Sequence, residues 1–273
     1  MESRPSLTAL AVCWMRDVAT RRGDGVLADP LAKRFLPLSW RAAARVGSRL
    51  PADPLSAYVP LRHRFIDDAI DEALTDGAAQ VVLLGTGYDT RPWRLGAHHA
   101  GVRWFGVDHP ATLGRRRRRL ADMAGPDRVE VPVDFRTDDL HTRLAEAGHR
   151  PDEPTVWVWE GVSMYLSRDQ VVACLEGLRA HSVAGSHLLL DLWHRVDGDG
   201  RVDGLRRALP AFLEVIAEPV RFGVHPADAP SWLAERGWNT LDLSGGSALQ
   251  QRYDARYAPD PCMSVVHAVP SPP

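Results

Sequence analysis

From residue 80 onward, short apolar runs alternate with stretches of helical period. Gln80-Val-Val-Leu-Leu84 stops at Gly85, and further runs at 102–107, 129–133, 155–159 and 186–190 stop at Asp108, Asp134, Glu160 and Asp191. Runs of this length, rich in valine and leucine and bounded by glycine or an acid, read as strands buried on both faces. Between them, 113–123, 140–147 and 168–181 carry apolar residues at helical spacing, with Val171, Val172, Leu175 and Leu178 on one face. The alternation predicts βαβ units, hence an α/β fold with a mostly parallel sheet and helices on both faces. A helix near 231–236 and strands near 238–243 and 263–269 complete the pattern.

Residues 1–75 read as helices over 6–21, 30–35, 41–49 and 65–74, the last with Phe65, Ile66, Ala69, Ile70 and Ala73 on one side. The expected organisation is a helical cap at 1–75 and a sheet domain at 76–273, with an insertion at about 192–225. That insertion contains VDGDGRVDG and is too long for a plain connection. With the cap it is expected to form a lid over the carboxyl ends of the strands.

Composition narrows the function classes. With 45% hydrophobic and 25% charged residues, the 273-residue chain is that of an ordinary globular protein. Its formal charge of -2 offers no bulk attraction to nucleic acid or anionic lipid. The arginine run 115–119 points all round its helix without aromatic interleaving, and reads as a solvated surface. No apolar run reaches the ~18 residues of a membrane span. Arg16 and Asp17 stand where a signal peptide would finish its apolar core, so the N-terminus reads as mature sequence. Cys13, Cys174 and Cys262 form no CxxC pair, which points to a reducing, cytoplasmic compartment and away from structural zinc. The eleven histidines show no HxxxH or HxH spacing, and no metal is expected. Lys33 is the only lysine among 33 basic residues, the imprint of a GC-rich, bacterial genome.

Ligands of open α/β sheets bind at the carboxyl ends of the strands, so the acids there are expected to line one crevice. Gly85-Thr86-Gly87 lets backbone N–H groups approach a ligand. A dinucleotide site would want a third glycine where Thr90 stands, and Asp89 would repel a pyrophosphate but suits a cationic ligand. Asp108, 23 positions beyond Gly85, has the spacing of an acid that takes ribose hydroxyls, or else caps the next helix. Asp134 with Phe135 could hold an adenine amino group and cover its ring, or serve as a cap. Glu160 would sit at the centre of the crevice, and Tyr165 could pack under the following helix. GxSxG and GxxxxGK[ST] are both absent, which disfavours the simplest hydrolase and NTPase readings.

GxGxDTR at 85–91, VDHP at 107–110, PVDF at 132–135 and EGVSMYL at 160–166 together resemble the leucine carboxyl methyltransferase-like family of class I S-adenosylmethionine (SAM)-dependent O-methyltransferases. The likeness continues through LADPLAKRF at 27–35, YVPLRHRFIDDAI at 58–70, AGS at 184–186 and RGW at 236–238. It implies a Rossmann-like, seven-stranded, mostly parallel sheet with helices on both faces and an N-terminal helical cap. Carried over residue by residue, it implies that Arg62 pairs with the SAM carboxylate, with Arg64 as its alternative. Gly85 and Gly87 underlie the methionine part and Asp89 helps hold the amino group. Asp108 takes the ribose, Asp134 and Phe135 the adenine, and Glu160 the far wall. The chain departs from the pattern at Val12-Cys-Trp-Met-Arg16-Asp17 and across 192–225, where the acceptor should bind.

The implied activity is transfer of the SAM methyl group to an oxygen of a small molecule, a bacterial secondary metabolite such as an aromatic polyketide. A carboxylate acceptor is ahead of a phenol. No catalytic residue is assigned, but a phenol or alcohol would want a base, for which His194, His225 and Asp17 are candidates, with Tyr165 weaker. The rival readings are a methyltransferase fold that uses the SAM pocket without methyl transfer, as a cyclase or binding scaffold, and an NAD(P)-dependent oxidoreductase.

Overall fold

The computed structural model describes residues 7–123, 125, 128–135, 137–194 and 220–272. Its centre is a seven-stranded sheet of β1 (Gln80–Leu84), β2 (Arg103–Asp108), β3 (Arg128–Pro132), β4 (Thr155–Trp159), β5 (His187–Trp193), β6 (Trp238–Gly245) and β7 (Met263–Pro270). The order is β3-β2-β1-β4-β5-β7-β6. The first five strands are parallel, while β7 runs antiparallel to both β5 and β6. The strand order reverses between β1 and β4, which opens a crevice beyond their carboxyl ends.

The helices are α1 (Leu7–Arg22), α2 (Leu38–Gly47), α3 (Pro54–Thr75), α4 (Arg91–Arg94), α5 (Pro110–Leu120), α6 (Leu140–Glu146), α7 (Arg168–Ala180), α8 (Ala229–Ala234) and α9 (Gly246–Arg252). Their starts have local causes. Asp53 accepts from the N–H groups of Leu55 and Ser56, with Pro54 as the first residue of α3. Ser167 and Gln170 form a reciprocal capping box at the start of α7.

Alternation along the strands builds a core on each face of the sheet. Val82, Leu84, Trp157, Trp159, Leu188 and Leu190 pack with Val171, Leu175 and Leu178 of α7. On the other face Val81, Leu83, Val156, Val158 and Leu189 pack with Tyr58, Leu61, Phe65, Ile66, Ala69 and Ile70 of α3. Thus α3 shares the core of the sheet, whereas Leu10 and Cys13 of α1 join a smaller cluster with Phe35, Leu36, Tyr88 and Leu120.

The helix expected over 65–74 begins at Pro54 and passes through Pro60. Proline ordinarily interrupts a helix, but buried neighbours on either side, Tyr58, Val59 and Leu61, tie this segment to the sheet. The helix expected over 30–35 contracts to a 3-10 turn at Ala32–Arg34. Of the insertion expected at 192–225, residues 195–219 lie outside the described residues. Among the described residues no helix is long and apolar enough to cross a membrane.

Candidate active site

A cavity of about 650 Å³ opens at the switch point of the sheet. Its floor is Leu83 and Leu84 of β1, Val158 of β4 and Val133, with the glycine turn Gly85–Gly87 crossing it. Gly85 has φ +70° and Gly87 +44°, a region that side chains other than glycine rarely enter. A Cβ at position 85 would overlap Val162 Cγ2. The turn is held by Asp108, whose Oδ2 accepts from Gly87 N at 2.7 Å and Oδ1 from His109 N at 2.7 Å. Burial raises the Asp108 pKa, and those two N–H groups oppose the rise. The N-cap of α5 is His109, whose side chain accepts from Ala111 N. Asp108 is therefore free of the capping role.

Beyond Glu160 the rim is a buried ionic network. Arg62 Nε donates to Glu160 Oε1 at 2.6 Å and Arg62 Nη1 to Asp191 Oδ2 at 2.6 Å. Arg91 Nη1 donates to Glu160 Oε2 at 2.7 Å and to Asp89 Oδ2 at 2.5 Å, and its Nε to Asp67 Oδ1 at 2.6 Å. Burial alone would raise the Glu160 pKa, but Arg62, Arg91 and His63 hold it well below the usual carboxylate range. Asp89 is likewise held low, with burial opposed chiefly by Arg91. His63 Nδ1 lies 2.8 Å from Glu160 Oε1 and 3.2 Å from Val59 O. Both neighbours are acceptors, so Nδ1 carries the proton. Burial depresses the His63 pKa against the pull of Glu160.

The structure gathers Arg62, Gly85, Gly87, Asp89, Asp108, Asp134, Phe135 and Glu160 around this one cavity, with Tyr165 on the same wall. Phe135 is 42% exposed and lines the cavity beside Asp134. The alternative carboxylate partner Arg64 is turned away and pairs with Asp68 at 2.7 Å. Three of the proposed bases also lie off the cavity lining. Asp17 is buried and accepts from Arg21 at 2.9 Å, one turn along α1. The rings of His194 and His225 pack on each other at 5.2 Å between centroids.

Several participants escaped the sequence reading. Arg91 stands inside GxGxDTR, but its link to Glu160 spans 69 positions. Arg16 reaches Asp29, Cys13 Sγ and Tyr88 O, and so ties α1 to the turn after Gly87. His63 and Arg221 also line the cavity. Arg62 was legible because it sits in a string matching the family, whereas Arg221 carried no local signal.

A glycine turn at the switch point, with acids closing the strands on either side, defines a nucleoside-binding Rossmann-like fold of the methyltransferase type. The fold matches the crystal structure of a "putative methyltransferase" from Thermobifida fusca, with a TM-score of 0.61 and 15% identity over 89% of this chain and 94% of that one. It also matches a protein from Streptomyces avermitilis, with a TM-score of 0.59 and 16% identity over 93% and 97% of the two chains. Residues 9–179 match the leucine carboxyl methyltransferase family. A relative from Parafrankia is 35% identical over 86% of this chain and 77% of its own length, and one from Streptomyces coelicolor is 32% identical over 85% and 82%. Each is named "Putative S-adenosyl-L-methionine-dependent methyltransferase". The chain belongs to the leucine carboxyl methyltransferase family, whose members are SAM-dependent methyltransferases.

Proposed function

We propose that the protein transfers the methyl group of SAM to an oxygen of a small-molecule acceptor, with a carboxylate as the favoured nucleophile. The observation that carries this reading is the convergence of the glycine turn, Asp108 and Glu160 on one cavity. The residues present fit SAM. The turn has no room for a Cβ at Gly85, the acids suit a cationic ligand, and the exposed Phe135 beside Asp134 suits a purine.

In this reading Arg62 pairs with the SAM carboxylate and Asp89 helps hold the amino group. Gly85 and Gly87 carry the methionine part, Asp108 binds the ribose hydroxyls, and Asp134 and Phe135 take the adenine. Bound there, SAM supplies an electrophilic methyl group on a sulfonium. The side chains of the protein orient the reactants and exclude water. Glu160, kept ionised by Arg62 and Arg91, closes the far wall with negative charge. A carboxylate acceptor has a pKa near ~4, so it is ionised at neutral pH and needs no base. Of the four candidate bases, Asp17, His194 and His225 lie off the cavity lining and Tyr165 lies on it. A volume of about 650 Å³ falls within the range of small-molecule sites, and a bacterial secondary metabolite is the acceptor class proposed.

Calorimetric titration with SAM, S-adenosylhomocysteine and NAD(P)H tests the cofactor. SAM or its demethylated product should bind, and Asp108→Ala should weaken binding by about tenfold or more, the equivalent of ~1.4 kcal/mol. Nicotinamide binding without SAM binding would overturn the assignment. A methylated product that hydrolyses in mild base supports the carboxylate, whereas a base-stable ether moves the acceptor to a phenol or alcohol.

A further inference from the structure

The walls of the cavity divide by chemistry. Strand ends and the glycine turn make the half assigned above to SAM. The remainder of the lining includes Thr8, Ala9 and Val12 of α1 with Val162, Leu166 and Arg221, a largely apolar set that holds one further guanidinium. Among the described residues three arginines line the cavity: Arg16, Arg62 and Arg221. Arg16 is occupied by Asp29, at 2.9 Å, and by Tyr88 O, at 2.8 Å, while Arg62, whose Nε and Nη1 hold Glu160 and Asp191, is the arginine assigned above to the SAM carboxylate. Among the described residues the Arg221 side chain has neither a hydrogen bond nor an ion pair, and it is exposed.

The backbone beneath this guanidinium is fixed. Arg221 N donates to Met164 O at 2.7 Å, Phe222 N to the same oxygen at 3.2 Å, and Val224 N to Trp193 O at 2.9 Å. Phe222 is buried against Trp232, with ring centroids 5.4 Å apart. The Arg221 backbone is thus anchored to the turn that follows Glu160, which sets where its side chain joins the cavity wall. A guanidinium without a counter-charge among the described residues selects an anion, and its planar fork matches a carboxylate.

We propose that Arg221 determines acceptor specificity by holding the reacting carboxylate of an otherwise apolar acceptor. This rests on the reading of the cavity as a methyl-transfer site. Transfer forms an oxygen–carbon bond and breaks the carbon–sulfur bond, with the electron pair remaining on sulfur. The negative charge of the carboxylate and the positive charge of the sulfonium disappear together, and no proton moves. The neutral ester then offers Arg221 no charge to pair with, so the same residue that admits the substrate disfavours the product.

The test uses the full-length protein saturated with S-adenosylhomocysteine, titrated with benzoate, naphthoate and anthracene carboxylate, each beside its amide and its methyl ester. At least one acid should bind about tenfold or more tightly than its amide and ester. Arg221→Ala should bring that acid to the level of its amide and leave amide affinity within about twofold, and Arg221→Lys should retain part of the preference because it keeps the charge without the fork. Arg221→Met, which keeps an apolar stem, replaces the alanine variant should that variant not fold. Persistence of the acid preference without the guanidinium overturns the proposal, and so does the lack of such a preference for all three acids in the wild type. Failure of wild-type protein to bind S-adenosylhomocysteine instead removes the methyltransferase reading itself.

Discussion

The two ends of the sheet bury polar side chains in opposite ways. At the carboxyl ends, Arg62, Arg91, Asp67, Asp89 and Glu160 are held as ions in contact with opposite charges. Towards the amino ends, buried and half-buried histidines pack on one another. His187 Nδ1 lies 2.8 Å from His267 Nε2, and the His141 and His181 rings stack with centroids 3.7 Å apart. Burial lowers the pKa of His267 to about 4, reinforced by His187, and that of His149 to about 4, reinforced by His141. The paired end keeps its charges and the unpaired end gives them up. Buried ion pairs add little net stability over apolar packing of the same volume. A network this large is better explained by what it positions than by what it stabilises.

The largest effect expected at the charged end follows Glu160→Ala, which leaves Arg62 and Arg91 each short of a carboxylate. Loss of one partner from a buried pair costs about 3–5 kcal/mol, readable as a lower urea midpoint at unchanged slope. A loss below about 1 kcal/mol would mean that water already screens the network, and the contrast between the two ends would fail.

A smaller effect is expected from pH at the histidine end. The folded pKa of His267 lies below the unfolded value of ~6.5, so the unfolded chain binds the proton more readily. Stability is complete above that unfolded value and declines as pH falls from about 6.5 towards about 4. His267→Gln should flatten this decline by an amount on the order of 1–3 kcal/mol, followed by denaturation across that window. An unchanged slope would show that the histidine pair is not what titrates there.

The smallest effect separates two neighbouring arginines of α3. Arg64 and Asp68 form an exposed pair one helical turn apart, so Arg64→Ala should cost no more than about 0.5 kcal/mol and leave SAM affinity unchanged. A marked loss of SAM affinity in that variant would assign the carboxylate to Arg64 instead of Arg62.

Much of this architecture is written locally. Runs at 80–84 and 155–159 became β1 and β4 because four apolar residues in succession, after Gln80 and Thr155, leave neither face for water. Other strand ends moved by a residue or more, as at β5, which continues through Asp191 to Trp193. There Asp191 lies inside the strand, with Arg62 and Gly161 N as its partners. Asp89 was legible as an acid beside the glycine turn, but not as a partner of Arg91, because a two-residue spacing carries no periodic signal. The short α4 and α9 were missed for a related reason: α4 has one turn and a proline, and α9 follows directly on β6.

Residue order along the chain, by itself, determined the alternation of strand and helix, the glycine turn after β1 and the acids that close β2 and β4. These depend on side-chain period, on the freedom of glycine and on chemistry within a few neighbouring residues. Only the tertiary structure decided which charges meet. Arg62 finds Glu160 98 positions away and Asp191 129 positions away, because the crossovers set β4 and β5 beside α3. The same packing left Arg221 on the cavity wall without a partner among the described residues. Coulomb attraction and burial act through space, and neighbours in space are chosen by strand order rather than by spacing along the chain.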